Sequence, residues 1–398
     1  MLRFASVFVL ILLGPPVASA GSWDFSGFVA GEVRAFPHEA EYFRQRNQNI
    51  SFSIQPELYW ESEDRDQSFL LVPFARWDKS DDRRTHLDLR EFTYIKSSRD
   101  WELRAGVRKV FWGVAEFNHL VDIINQRDQV ENIDLEDTLG QPMINFAWIQ
   151  DWGTVDIFAL TGFRERTYPG VNGRLRSAVR VDTSSATYDS TAENSHIDWA
   201  VRYSHAIGDF DVGVYHFWGT NRDPRLRPKI TRSNELVLAP HYDIIHQTAT
   251  DIQATKGNWL YKFEGMRRSG QGDAFFALVG GFEYTFVGVF GTVIDLGVLS
   301  EYHYDDRGED RNAFPLNNDL YGGGRFAFND AQDTAILGGI GFDLDGRSKF
   351  LSFEASRRIG SRWKVEAEMR VFWDVATSDP FFSIRRDDYL QIELARYF

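Results

Sequence analysis

The chain has no cysteine. That excludes disulfide cross-links, thiolate-bound metal, a lipid-modified cysteine and a cysteine nucleophile. Positive charge is also short. Lys and Arg number 44 against 58 Asp and Glu, a formal charge of −14. A balance this acidic argues against a nucleic-acid partner. Long apolar runs are missing too. After residue 20 no stretch reaches the ~18 consecutive apolar residues that a membrane-spanning helix requires. No Pro- or Ser-rich joint and no long run of one charge sign divides the sequence, so residues 21–398 read as one domain. No repeat of fixed period is present, which disfavours a propeller or solenoid. His-Glu-x-x-His, Gly-x-Ser-x-Gly and a glycine-rich phosphate loop are absent, and the nine His are scattered. No catalytic cluster, metal site or cofactor is therefore read from the sequence, and the chain reads as a non-enzyme. The run Asp134–Asp137 offers carboxylate oxygens but not the spacing of a calcium loop.

What is present begins at the N-terminus. Arg3 supplies a positive start, Ala5–Leu13 an apolar core and Ala18-Ser-Ala20 a small-residue cleavage site. Residues 1–20 are thus expected to be a secretory signal peptide, with the mature chain starting near Gly21. Aromatic residues then make up 15% of the chain, with 33 Phe, 15 Tyr and 12 Trp.

Period-two alternation dominates the rest. Eighteen segments show it, from Asp24–Phe36 to Asp388–Phe398, or sixteen if two short ones are spurious. In Trp363–Trp373 the residues Trp363, Val365, Ala367, Met369, Val371 and Trp373 share one face; Lys364, Glu366, Glu368 and Arg370 share the other. The last segment puts Leu390, Ile392, Leu394 and Phe398 opposite Tyr389, Gln391, Glu393 and Ala395. Connections alternate between short, such as Ser97–Asp100 and Ile359–Arg362, and long, such as Phe111–Pro142 and Glu165–Ser195. Trp23, Trp60, Trp101, Trp152, Trp259 and Trp363 fall at short-turn ends, and Trp77, Trp218 and Trp373 at long-loop ends. A soluble sandwich has no reason to sort Trp this way. A membrane barrel does, because an indole buries its ring at the interface and keeps its N–H wet. The expected fold is an all-β, transmembrane, antiparallel up-and-down barrel of about 18 strands, closed by the last strand against the first.

A C-terminal Phe preceded by alternating apolar residues resembles the assembly signal of bacterial outer-membrane β-barrels, carried here by Leu390, Ile392, Leu394 and Phe398. Arg396 departs from it. The resemblance implies the outer membrane of a Gram-negative bacterium, contact with lipid and lipopolysaccharide, and recognition by the assembly machinery through the C-terminal strand. The dyads Arg267-Arg268, Arg357-Arg358 and Arg385-Arg386 are expected near the long-loop rim, where basic residues meet lipopolysaccharide phosphates.

The segment Phe111–Pro142 breaks the alternation. Phe117, Leu120, Val121 and Ile124 have helical spacing, so a partly helical loop folded into the lumen is expected. Porins constrict their pore with such a loop after an early strand, and the chain resembles them in this. Trp112-Gly with Asp122-x-Ile-Asn125-x-x-Asp128 also resembles a segment of large, poorly characterised proteobacterial barrels. The expected constriction residues are Trp112, Glu116, His119, Asp122, Asn125, Arg127, Asp128 and Glu131. The expected basic lumen wall is Arg76, Arg90, Arg104 and Arg108. Opposed walls of this kind orient a charged solute; the alternative is ion pairs that satisfy one another. The functional expectation is a porin-like channel for small hydrophilic, including charged, solutes. Polymer export, a receptor role and an outer-leaflet enzyme are the alternatives, and a homotrimer is left open.

Overall fold

The computed structural model describes residues 21–134, 136–307 and 317–398. The expected signal peptide, residues 1–20, lies outside them, as do Leu135 of the long loop and residues 308–316 of the connection after Asp305.

Eighteen strands form one sheet. They are β1 (Gly21–Ala35), β2 (Gln48–Ser62), β3 (Gln67–Asp78), β4 (His86–Ser97), β5 (Trp101–Arg108) and β6 (Gln141–Gln150). Then come β7 (Gly153–Thr161), β8 (Ile197–Ile207), β9 (Phe210–Thr220), β10 (Ile244–Lys256), β11 (Trp259–Ser269) and β12 (Phe275–Phe286). The last six are β13 (Asp295–Asp305), β14 (Asn318–Ala327), β15 (Ala335–Asp343), β16 (Lys349–Ile359), β17 (Trp363–Trp373) and β18 (Tyr389–Tyr397). Each pairs antiparallel with the next. β18 also pairs with β1, Gly31 facing Leu394 and Ala35 facing Leu390, so the sheet closes into a barrel. All eighteen expected segments are strands of it. A separate three-stranded sheet, from Thr187–Tyr188, Arg225–Ile230 and Leu236–Tyr242, is built by two long loops on one rim.

The alternation resolves into an outer and an inner face. Leu390, Ile392, Leu394 and Phe398 are exposed on the outside, while Tyr389 and Ala395 are buried inside. Trp23 packs beside Trp60 and Trp152 stacks on Tyr203, forming part of the aromatic girdle at the short-turn rim. Arg396 lies with its guanidinium over the Trp363 ring, in the same girdle. A long cationic side chain is accommodated there by cation–π attraction and access to water.

Two expectations need correction. Arg357 and Arg358 do not sit on the long-loop rim. β16 runs away from it, and Arg357 pairs with Asp330 in a turn of the short-turn rim. The rims are also less sorted than connection length implies, since the short-turn rim carries the connection 287–294 and the other rim the tighter 270–274.

Candidate functional site

The connection 109–140 between β5 and β6 turns inward and crosses the lumen. Among the described residues it contains no helix. The expected helical turn is therefore corrected, and the reason is visible in the hydrogen bonds. Carboxylates from the barrel wall take the amides that a helix would pair internally. Glu264 on β11 accepts from the backbone N–H of Val114 and Ala115 at 2.6 and 2.8 Å, and from that of Val121 at 3.1 Å. Glu301 on β13 accepts from Glu116 and Phe117 at 2.7 and 3.1 Å. Carbonyls are met too, from the wall and from the connection that follows β9. Tyr215 donates its hydroxyl to Val121 O at 2.7 Å, and Arg222 donates to Ile124 O. Backbone withdrawn from water must find partners, and here the wall supplies them.

Apolar contact fixes the same path. The inward residues of β6 to β12 are unusually greasy for a lumen: Met143, Phe158, Leu160, Phe217, Ile245 and Met266 are all buried. They form one cluster with Trp112, Val121, Ile123 and Ile124 of the loop. Trp112 lies between Phe158 and Tyr215, ring centroids 5.6 and 4.6 Å away, with Arg202 over its face. Beyond this sector the loop reaches a stretch of wall where Gly323 and Gly339 lie beside Tyr321. Phe117 stacks on Tyr321 at 4.7 Å and lies against Gly339, where an added Cβ would come within 2.8 Å of its ring.

Each expected loop residue has a definite place. Asn125 closes the loop base, accepting from Val110 N–H and donating to the carbonyls of Arg108 and Leu139, all at 2.8 Å. Glu116 meets Lys262 at 3.2 Å and also Arg325. Asp122 pairs with Arg127 at 3.2 Å, and burial pushes its carboxyl up to about 6. His119 packs edge-on to Phe111, and burial lowers its imidazole to about 4. Burial, followed by the nearby Glu131 charge, raises Asp137 to about 6.

The basic residues divide into two groups. Arg90 contacts Asp128 at 2.6 Å, and Arg76 contacts Glu131 at 2.9 Å. Both acids are on the loop, so this part of the basic wall touches the acidic loop directly. Arg90 is placed there by a β-bulge: Val72 pairs with Glu91 and Pro73 with Leu89, leaving Arg90 as the extra residue. Pro73, which cannot donate to the ladder, is the sequence signal for that bulge. Arg104 and Arg108 lie apart, on the short-turn side. Arg104 pairs with Glu102 and Asp156, and Arg108 donates to the neutral Asn145 amide oxygen at 3.1 Å. They share an open recess with Lys109, Arg65 and Asp66.

The residues that sequence reasoning missed are the anchors Glu264, Glu301, Tyr215, Arg222 and Lys262. Alternation marks Glu264, Glu301, Tyr215 and Lys262 as inward, while Arg222 sits in the connection after β9; nothing local names their partner, which is a loop 90 or more positions away.

No family model matches the sequence, and no curated protein matches it. Solved structures do. A BenF-like porin from Pseudomonas fluorescens Pf-5 superposes with a TM-score of 0.56 at 8% identity, covering 95% of this chain and 98% of that one. OpdQ of Pseudomonas aeruginosa gives a TM-score of 0.51 at 11% identity, covering 95% and 97%. The fold is that of a porin-like outer-membrane β-barrel. At such identities the likeness is one of overall architecture, while nearly every side chain differs.

Proposed function

We propose that this porin-like barrel is an outer-membrane channel for small hydrophilic solutes, charged ones included, and that the loop 109–140 sets its bore. The carrying observation is the loop's attachment to the far wall through Glu264 and Glu301. A loop so anchored narrows a lumen that eighteen strands would otherwise leave wide. Trp112, Glu116, His119, Asp122, Asn125, Arg127, Asp128 and Glu131 are the constriction residues on this reading. Arg104 and Arg108 are the members of the basic wall left facing solute, because Arg76 and Arg90 are engaged by the loop itself. The leader 1–20 directs export, and the short-turn rim faces the periplasm.

Single-channel recording in planar lipid tests this. Deleting Glu116–Asp137 should raise conductance severalfold while the heat-dependent gel mobility of a folded barrel is kept. A wild-type barrel that inserts but passes no current, before and after the deletion, would sink the channel.

A further inference from the structure

We infer that His86, Asp128 and Glu131 form a binding site for a divalent transition cation, Zn²⁺ fitting best, which fastens the inserted loop to β4. The argument starts from the ring of His86. Its Nδ1 lies 3.0 Å from the carbonyl oxygen of Arg84. A carbonyl oxygen can only accept, so Nδ1 carries the hydrogen and Nε2 of the neutral ring presents a lone pair. That lone pair faces Oε1 of Glu131 across 3.4 Å. Both atoms are buried and neither has a hydrogen-bond partner. Glu131 is itself 5% exposed. Two acceptors held face to face and shut off from water call for something positive between them.

The spacing suits a metal. Two donors about 2.1 Å from a tetrahedral cation stand about 3.4 Å apart. A carboxylate oxygen of Asp128 is the third donor, the three atoms lying within 4.8 Å of one another. Water supplies the fourth position. One imidazole nitrogen with two carboxylate oxygens suits Zn²⁺ better than Ca²⁺ or Mg²⁺, which prefer all-oxygen shells. The Nδ1–H bond to a backbone carbonyl is the support that metal-binding imidazoles usually carry on their other nitrogen.

The surrounding cations are already matched. Arg76 bridges Glu32 and the other oxygen of Glu131, Arg84 engages Glu32 and Asp78, and Arg90 engages Asp88 and Asp128. The five named carboxylates outnumber these three guanidiniums, and Asp128 and Glu131 offer the metal the lone pairs that the guanidiniums leave. Two of the three ligands are on the loop and one opens β4, so the ion ties loop to wall where Glu264 and Glu301 do not reach.

The competing occupant of the gap is a proton, which would make His86 an imidazolium donating to Glu131. Calorimetric titration of zinc into untagged, EDTA-treated barrel in detergent at pH 7.5 separates the two. We expect one zinc per chain with micromolar or tighter affinity, and a higher unfolding temperature by gel mobility when zinc is present. His86→Gln and Glu131→Gln should each weaken zinc at least about tenfold, in barrels whose gel mobility shows them folded. His241→Ala, at the separate group Asp189, His241 and Asp243, should leave the affinity intact. The inference is overturned if zinc uptake follows His241 instead. It is equally overturned if the wild-type barrel, shown folded by gel mobility, takes up no zinc.

Discussion

Glu264 holds Val121 from across the barrel. The Val121 amide donates to Oε2 at 3.1 Å, while Oε1 takes the amides of Val114 and Ala115. One fully buried carboxylate thus satisfies three N–H groups of a segment that forms no helix among the described residues. Glu264→Gln keeps the size but offers one acceptor oxygen, and turns an amide N–H toward donors. Each stranded N–H costs about 1–3 kcal/mol. The variant should show higher and noisier single-channel conductance with its barrel intact. Unchanged conductance would place the loop's hold elsewhere.

Protonation should tighten the same loop. Asp122 and Asp137 are both raised to about 6, chiefly by burial. A carboxyl whose folded value is raised contributes stability that is complete below the ordinary carboxylate range and is lost as pH rises through about 6. Loop docking is therefore firmer at pH 5 than at pH 7.5, and conductance should be smaller at the lower pH. Asp137→Asn should flatten part of that dependence. A profile flat between pH 4.5 and 7.5 in wild type would remove these two groups from the gate.

Met369 and Glu368 are neighbours with opposite surroundings. Met369 pairs with Leu390 on the outer face, whereas Glu368 bonds Asn132 of the loop at 3.0 Å and also Tyr389. Met369→Arg should destabilise the barrel by roughly 2–4 kcal/mol near the bilayer midplane. Urea titration into lipid vesicles measures it. A neutral Met369→Arg beside a strongly destabilised Glu368→Leu would reverse the two faces.

Phe398 closes the seam. Its amide donates to Gly27 O at 3.0 Å and its ring packs on Phe25 at 5.6 Å. Phe398→Ser should lower the yield of heat-modifiable barrel in the membrane severalfold. Normal assembly would mean that the alternating strand alone suffices.

The strands are legible because lipid keeps the outer face apolar along their whole length, while the inner face is mostly polar outside the apolar sector of β6 to β12. Even Trp363–Trp373 was placed at its observed ends. The loop was legible only as something that must pack. Phe117, Val121 and Ile124 are indeed shielded, but their spacing reports burial and not a helix, because Glu264 and Glu301 replace the acceptors a helix would use. Alternation alone gives Arg76 and Arg90 a face. That they meet Glu131 and Asp128 depends on the loop's path, which no local pattern encodes.

The bare stretch of wall opposite the loop has a mechanical meaning. Gly323 and Gly339 stand inward on β14 and β15, and the Phe117 ring rests where a Cβ on Gly339 would be. The depth to which the loop seats is thus set by what the wall lacks. Gly339 acts there as a depth stop, and a methyl added to it would back the Phe117 ring off the wall by a fraction of an ångström. The bore is thereby tunable from the scaffold, at a strand residue, with every residue of the loop left as it is.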